Sequence, residues 1–173
     1  VDIDAYSLGH NGDKIRNEFN IAPDIKIIGS ISRIVKGKGH DDLLAAAYLV
    51  LKEYQRTIFL IVGSGDKAIV QKLQDQARSL GIQDKVIFTG RRSDTVDLLN
   101  AIDIFVHCPN LWREGMGIAT LEALACGKPV VITDNWGLSD TTIDGHNGFT
   151  VPVGDNKKIA EKSISAINSF VAE

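Results

Sequence analysis

The sequence predicts an α/β fold built on a Rossmann-like, doubly wound parallel sheet. Short apolar runs alternate with longer amphipathic stretches along the whole chain. The apolar runs are continuous instead of alternating with polar residues, which is typical of parallel strands that are buried on both faces. Because right-handed crossovers connect parallel strands, we expect ligands to bind beyond the carboxyl ends of the strands.

Six strands and five helices are predicted from these two patterns. The strands are expected at Ile25–Ile28, Thr57–Val62, Lys85–Phe88, Asp103–Val106, Pro129–Ile132 and Phe149–Val151. The helices, in which apolar residues recur three and four positions apart, are expected at His40–Gln55, Lys67–Leu80, Thr95–Ala101, Ile118–Ala125 and Asn156–Val171. Residues 1–24 are mixed and polar, so they are interpreted as a leading segment before one folded domain at residues 25–173.

The composition restricts the possible functions. A chain of 173 residues is long enough for one buried core and too short for two ordinary domains. Its net charge of −3 gives no reason to expect nucleic-acid binding, and no apolar run approaches the roughly 20 residues that cross a bilayer. Cys108 and Cys126 lack metal-binding or disulfide spacing, which favours a cytoplasmic location. Asp2-Ile3-Asp4 is a DxD pattern, but no predicted strand leads into it, so neither a metal nor a cofactor is expected.

The loop after the first predicted strand is basic and rich in glycine. It contains Arg33, Lys36 and Lys38 together with Gly37 and Gly39, directly before a predicted helix. Glycine permits close approach of the backbone, a helix amino terminus attracts anions, and the cations add charge-assisted hydrogen bonds. The loop therefore predicts a phosphate site, with a solvated basic turn as the alternative.

Two further loops follow predicted strands. Residues 63–68 match the GxGxx[GA] pattern of dinucleotide sites, although a complete βα unit precedes them and no acidic residue ends the next strand. Glycines that close a tight turn are an equally good interpretation of this loop. After the third strand, backbone groups near Gly90 and Arg91 are candidates to meet a nucleotide base, whereas Ser93 or Asp94 is expected to cap the next helix.

The segment from Cys108 to Pro129 contains two carboxylates, Glu114 and Glu122, on either side of a glycine-rich helix start. If the helix begins near Glu114, the two carboxylates lie up to about 12 Å apart along its axis. That span approximates the distance from a ribose to a sugar across a diphosphate, and the free N–H groups of Gly115 to Ile118 lie between them. In the alternative interpretation, Glu114 only interacts favourably with the positive end of the helix dipole, and the carboxylate of Glu122 extends into solvent.

Six blocks of the chain, in order, resemble glycosyltransferase family 4, the group-1 glycosyl transferases, which have a two-domain GT-B fold. The blocks are Arg33-x4-Lys38-Gly39, residues 61–65, residues 86–90, Glu114-x7-Glu122, residues 125–131 and residues 144–152. The resemblance implies that this chain is the carboxyl-terminal, nucleotide-sugar-binding half of such an enzyme. Val1-Asp2 is similar to the link from the amino-terminal, acceptor-binding domain of the family.

The resemblance also implies roles for single residues. Arg33 and Lys38 would hold the diphosphate and stabilise charge on the departing nucleotide, Glu122 would bind the ribose, and Glu114 would position the sugar. The catalytic positions implied are Arg33, Lys38 and Glu114. The donor-binding positions implied are Gly39, Gly63, Gly90, Arg91, Arg92, Gly115, Met116, Gly117, Ile118 and Glu122. Met116, Trp136 and His107 depart from the residues that are frequent in the family.

The implied reaction moves a sugar from a nucleotide diphosphate sugar, either a UDP or a GDP sugar, to an acceptor with retention of configuration and without a metal. Because the acceptor binds between the two domains, this chain alone is expected to bind nucleotide sugar weakly and to transfer nothing. The whole enzyme could contact a membrane only through other segments. Three alternatives stay open: a nucleotide-sugar epimerase of the same fold, a nicotinamide-dependent dehydrogenase based on residues 63–68, and a non-catalytic nucleotide-binding module.

Overall fold

A computed structural model describes residues 1–2, 5–7, 9, 12–110, 115, 117–135 and 137–170. After an initial helix, strands and helices alternate, except that the last two strands have only a 3₁₀ turn at Ser139–Thr141 between them. The helices are α1 (Gly12–Glu18), α2 (His40–Glu53), α3 (Lys67–Ser79), α4 (Thr95–Ala101), α5 (Ile118–Ala125) and α6 (Asn156–Phe170). The strands are β1 (Lys26–Ile31), β2 (Thr57–Val62), β3 (Val86–Gly90), β4 (Ile104–His107), β5 (Val130–Thr133) and β6 (Gly148–Val151).

The six strands form one parallel sheet in the order β3-β2-β1-β4-β5-β6. The chain therefore moves outwards from β1 to one edge of the sheet, returns to the centre, and continues with β4 to the other edge. This arrangement confirms the predicted Rossmann-like α/β fold. Strand β1 pairs with β2 over its whole length and with β4 through Ile28↔Ile104 and Gly29↔Phe105.

Side chains that alternate along the strands build a separate core on each face of the sheet. In β1, Ile28 faces the first core and Ile27 faces the second. Helices α2, α3 and α6 cover the first face, where Leu43, Leu73 and Ile159 are buried. Helices α1, α4 and α5 cover the second face. This double burial is the physical reason that the strand segments are apolar without interruption.

The structure differs from the sequence prediction mainly at the beginning of the chain and at strand ends. Residues 12–18, predicted as part of the leading segment, form α1, which buries Ile15 and joins Arg16 to Asp103 through a 2.8 Å ion pair. Strand β1 begins one residue after the predicted Ile25, because the N–H of Ile25 closes a turn onto the carbonyl of Ala22. Among the described residues, no helix combines the length and apolar character that crossing a membrane requires.

The loops that follow β1 and β4 are joined directly at the carboxyl edge of the sheet. Gly39 has a φ of 70°, and a Cβ atom there would lie 1.7 Å from the carbonyl oxygen of Cys108. The Cys108 thiol donates to the Gly39 carbonyl at 3.1 Å, and the Asn110 N–H donates to the Gly37 carbonyl at 3.0 Å. Position 39 therefore requires glycine for two reasons, its positive φ angle and its close approach to the Cys108 carbonyl.

Two matched substitutions separate these requirements. Gly81 has a φ of 69°, but nothing lies within 4 Å of a Cβ atom there. We expect Gly81→Ala to lower the free energy of unfolding by about 1 kcal/mol, which is the cost of the left-handed conformation. Gly39→Ala should cost roughly 3 kcal/mol or more, because backbone must also move. Urea unfolding of both variants measures the difference, and equal losses would contradict the close contact.

Candidate functional site

The direction of winding reverses between β1 and β4, and we call the region beyond the carboxyl ends of these two strands the crevice. Helix α2, which follows β1, packs on one face of the sheet, and α5, which follows β4, packs on the other. Beyond the Gly39–Cys108 contact, the two connections therefore continue to opposite faces of the sheet. Doubly wound α/β proteins bind ligands at this switch point. The loop from Arg33 to Gly39 lies on one side, and the start of α5 lies on the other.

The groups beneath the crevice are neutral. His40 is 3% exposed, and its Nε2 lies 3.1 Å from the Ser32 hydroxyl. Burial, with a smaller contribution from His107, lowers the pKa of His40 from 6.5 to about 4. Burial also raises the pKa of the Cys108 thiol, which keeps its proton for the bond to Gly39. The positive charge at this edge therefore comes from the loop cations and not from a buried imidazolium.

The predicted phosphate-binding cations are both on the loop that borders the crevice. Arg33 is exposed and Lys38 is half-buried. Asn110 anchors the intervening Gly37, so the loop that carries both cations is held against the end of β4. Both residues are therefore on the segment that leads into α2, and a helix amino end favours an anion.

The start of α5 is accessible from the crevice. Ile118, its first residue, is 67% exposed, so a ligand can approach the first turn. Gly117, which precedes the helix, has a φ of 56°, and a Cβ atom there would lie 2.1 Å from Leu138 Cδ2. Gly115 is exposed. The predicted site residues Glu114 and Met116 lie outside the described residues, as do Asp4 of the DxD pattern and Trp136.

The glycines after β2 are explained by packing within the protein. A Cβ atom on Gly63 would lie 1.9 Å from the carbonyl oxygen of Ser32, and one on Gly65 would lie 1.7 Å from that of Ile34. The Ile34 N–H also donates to the Ser64 carbonyl at 2.9 Å. The backbone after β1 thus runs directly against this loop. Both glycines are accounted for without a dinucleotide, which removes the main support for the dehydrogenase alternative.

Two neighbouring arginines after β3 have different environments. Gly90, with a φ of 72°, has no atom within 4 Å of a Cβ position, and Arg91 is exposed. Space is therefore open at both positions, and their contact with a nucleotide base stays a prediction. Arg92 instead forms ion pairs with Glu18 of α1 and with Asp94, at 2.7 Å in the second case. The structure thus gives Arg92 a role in holding α1 to the α4 start, and Asp94 binds Arg92 without capping α4 through its side chain.

Glu122 lies half-buried on α5. Sequence reasoning selected it because a carboxylate among apolar residues needs a partner. The hydrogen bond with Thr95 lowers the pKa of Tyr6, but burial and the charge of Glu122 together raise it. Sequence reasoning did not select Tyr6, because it stands alone in a polar segment without a motif and lies 116 positions before Glu122.

The depressed pKa of His40 makes stability depend on pH. Because the folded-state pKa is about 4 against an ordinary 6.5, the unfolded chain takes up a proton in this interval that the folded chain does not. The contribution of neutral His40 to the free energy of unfolding is present in full above pH 6.5 and decreases as the pH falls towards 4. We expect a loss of about 2 kcal/mol between pH 7.5 and pH 5.0, measured by urea unfolding.

His40→Gln should remove this part of the pH dependence, whereas His146→Gln, which removes an exposed histidine, should retain it. The charged and titratable neighbours that act on His40 are His107, Asp41 and Lys38. An unchanged pH dependence in His40→Gln would show that His40 is not the group responsible.

Known proteins with similar sequences include several glycosyltransferases. The family model for "Glycosyl transferases group 1" matches residues 11–169 of this chain. The capsular polysaccharide biosynthesis glycosyltransferase CapM of Staphylococcus aureus is 29% identical over 97% of this chain and 43% of its own length. The lipopolysaccharide core biosynthesis glycosyltransferase LpsE of Rhizobium meliloti is 32% identical over 91% of this chain and 43% of its own length. The chain thus spans less than half the length of these relatives.

Solved structures with the same architecture include nucleotide complexes. Anabaena Alr3699/HepE in complex with UDP and glucose superposes with a TM-score of 0.87 and 26% identity, over 96% of this chain and 45% of that one. The carboxyl-terminal domain of LpcC, a group 1 family protein from Francisella tularensis, superposes with a TM-score of 0.83 and 26% identity, over 97% of this chain and 88% of that one. With its six-stranded sheet and the family match across residues 11–169, the chain belongs to the glycosyl transferases group 1.

Proposed function

We propose that this chain is the donor-binding domain of a retaining glycosyltransferase, which moves a sugar from a nucleotide diphosphate sugar to an acceptor. The observation that carries the proposal is the crevice between β1 and β4, bordered by the loop from Arg33 to Gly39 and by the start of α5. The acceptor would be held by a second, amino-terminal domain. The match to the isolated carboxyl-terminal domain of LpcC supports this division of the enzyme.

The donor diphosphate is assigned to the loop side of the crevice. Arg33 and Lys38 would neutralise its charge, and the amino end of α2 adds the attraction of its dipole. Because the Gly37–Asn110 bond and the Gly39–Cys108 contact hold the loop, the cations need little rearrangement when charge develops on the departing nucleotide. Preorganised charges of this kind stabilise a transition state efficiently. The proposal therefore needs no metal ion.

The nucleoside and the sugar are assigned to the groups that flank this position. Glu122 would accept hydrogen bonds from the ribose hydroxyls, and the exposed region at Gly90 and Arg91 would receive the base. Glu114, with the backbone around Gly117, would position the sugar. Complexes of Anabaena Alr3699/HepE with UDP and with UDP-glucose support a uridine donor, while a mannosyltransferase relative is described as dependent on GDP-mannose. Retention of configuration stays a prediction from the family resemblance, and a cytoplasmic location stays a prediction from the spacing of Cys108 and Cys126.

Calorimetric titration with UDP, GDP and ADP tests the proposal. We expect one diphosphate to bind, and the corresponding monophosphate to bind more weakly because it offers less charge to the loop. Lys38→Ala should weaken binding by about tenfold or more, since a hydrogen bond to a charged group is lost.

Lys52→Ala is the matched control, because Lys52 is an exposed cation near the opposite end of α2. It removes the same charge and should leave the dissociation constant unchanged. Equal weakening in the two variants would mean that only the overall charge matters. Absence of binding by every diphosphate would contradict the donor-domain assignment.

A further inference from the structure

A cavity of about 440 Å³ lies between the loop from Arg33 to Gly39 and the helices α2 and α3. Its walls belong to the segments that follow β1, β2 and β4. The described residues that line it do not include Arg33 or Lys38, the two cations assigned to the donor diphosphate. Cavities of roughly 300 to 1,000 Å³ bind small molecules in proteins. This cavity therefore has room for a ligand other than the nucleotide.

Hydrogen bonds join the walls of the cavity to one another. Gln76 Nε2 donates to the Asp41 carbonyl at 2.9 Å, which links α3 to the first turn of α2. The Asn110 N–H donates to the Gly37 carbonyl at 3.0 Å, and its side-chain amide donates to the Asp42 carboxylate at 3.1 Å. The loop, both helices and the end of β4 are thus connected around the cavity. A preformed cavity of this kind loses little freedom when a ligand binds.

One side of the cavity is apolar. Ile69 and Leu73 contribute to it from α3, and Val35 contributes from the loop. Leu73 is 6% exposed and belongs to the core on the first face of the sheet, and Ile69 packs against the same core. A ligand with an apolar body can therefore remove apolar surface from water on this side.

The polar lining carries an excess of positive charge. Lys36 lines the cavity from the loop and Lys72 lines it from α3, whereas Asp41 is the acidic residue of the lining. His40 also lines it and is neutral at pH 7, because burial lowers its pKa to about 4. Among the residues that the structure describes, neither lysine forms an ion pair, although both are exposed. Both ammonium groups are therefore available to an anion.

We propose that this cavity is a second ligand site, which binds a small organic anion with a carboxylate or a phosphate monoester on an apolar body. Lys36 and Lys72 would form charge-assisted hydrogen bonds with the anionic group, one from the loop and one from α3. Ile69 and Leu73 would contact the apolar body. The inference is independent of the proposed function, because none of these four residues is assigned to the nucleotide.

The test is a titration of the isotope-labelled chain with phenyl phosphate and with benzoate, followed through amide chemical shifts. We expect saturable binding with a dissociation constant of about 1 mM, as is usual for ligands of this size. The largest shift changes should occur at Lys72, Leu73 and Gln76. Inorganic phosphate lacks the apolar body and benzyl alcohol lacks the charge, so each should bind at least about fivefold more weakly. The tighter of the two anionic probes identifies the preferred anionic group.

Two lysine variants on the same helix locate the anionic group. Lys72→Ala should weaken binding of the tighter probe by about five- to tenfold, since a hydrogen bond to a charged group is lost. It should leave the binding of nucleotide diphosphate unchanged. Lys67→Ala is the matched control, because Lys67 is an exposed cation at the start of α3 that does not line the cavity. It should leave probe binding unchanged.

Three results would overturn the inference. The first is the absence of saturable shift changes with both anionic probes. The second is a set of changes centred on Gly90 and Ile118, which would mean that the anion binds in the crevice instead. The third is equal weakening by Lys72→Ala and Lys67→Ala, which would mean that only the overall charge matters. A chain that binds phenyl phosphate in the cavity but binds no nucleotide diphosphate would support the inference and overturn the proposed function.

Discussion

The organisation of the site depends on one contact between two backbones. Where Gly39 meets the Cys108 carbonyl, the loop after β1 is held against the loop after β4, and a side chain at Gly39 cannot be accommodated. The thiol of Cys108 and the N–H of Asn110 reinforce the contact with hydrogen bonds to Gly39 and Gly37. Because the two loops begin on the central strands, this contact holds the loop that carries Arg33 and Lys38 against the end of β4.

At this edge of the sheet, the buried titratable groups are neutral and the positively charged residues are on the loop after β1. His40 and Cys108 are buried, and burial favours the neutral form of each, so the base of the crevice adds no charge of its own. Arg33 is exposed on the loop after β1. An anion that approaches the crevice therefore meets the cations of the loop from Arg33 to Gly39. Beneath this loop lie the neutral, hydrogen-bonded side chains of His40 and Cys108. This arrangement suits a diphosphate whose charge increases when the sugar departs.

The fold was largely predictable because it depends on the local alternation of apolar runs and amphipathic helices. The missed element, α1, has seven residues and a single buried side chain, Ile15, which is too little to produce a periodic pattern. The site was predictable only in part, because its contacts join distant positions. Arg92 looked like a ligand-binding cation, yet it pairs with Glu18, 74 residues earlier. The glycines after β2 resembled a dinucleotide motif, but they accommodate the backbone after β1.

We propose that the nucleotide binds at the carboxyl edge of the sheet, across the ends of β1 and β4. Amide chemical shifts recorded during titration of isotope-labelled protein with the bound diphosphate test this position residue by residue. We expect the largest changes at Lys38, Gly39, Gly90 and Ile118, and almost none at Gly81. Changes concentrated in the open depression between α2 and the β6–α6 loop, at residues such as Val153, would contradict it.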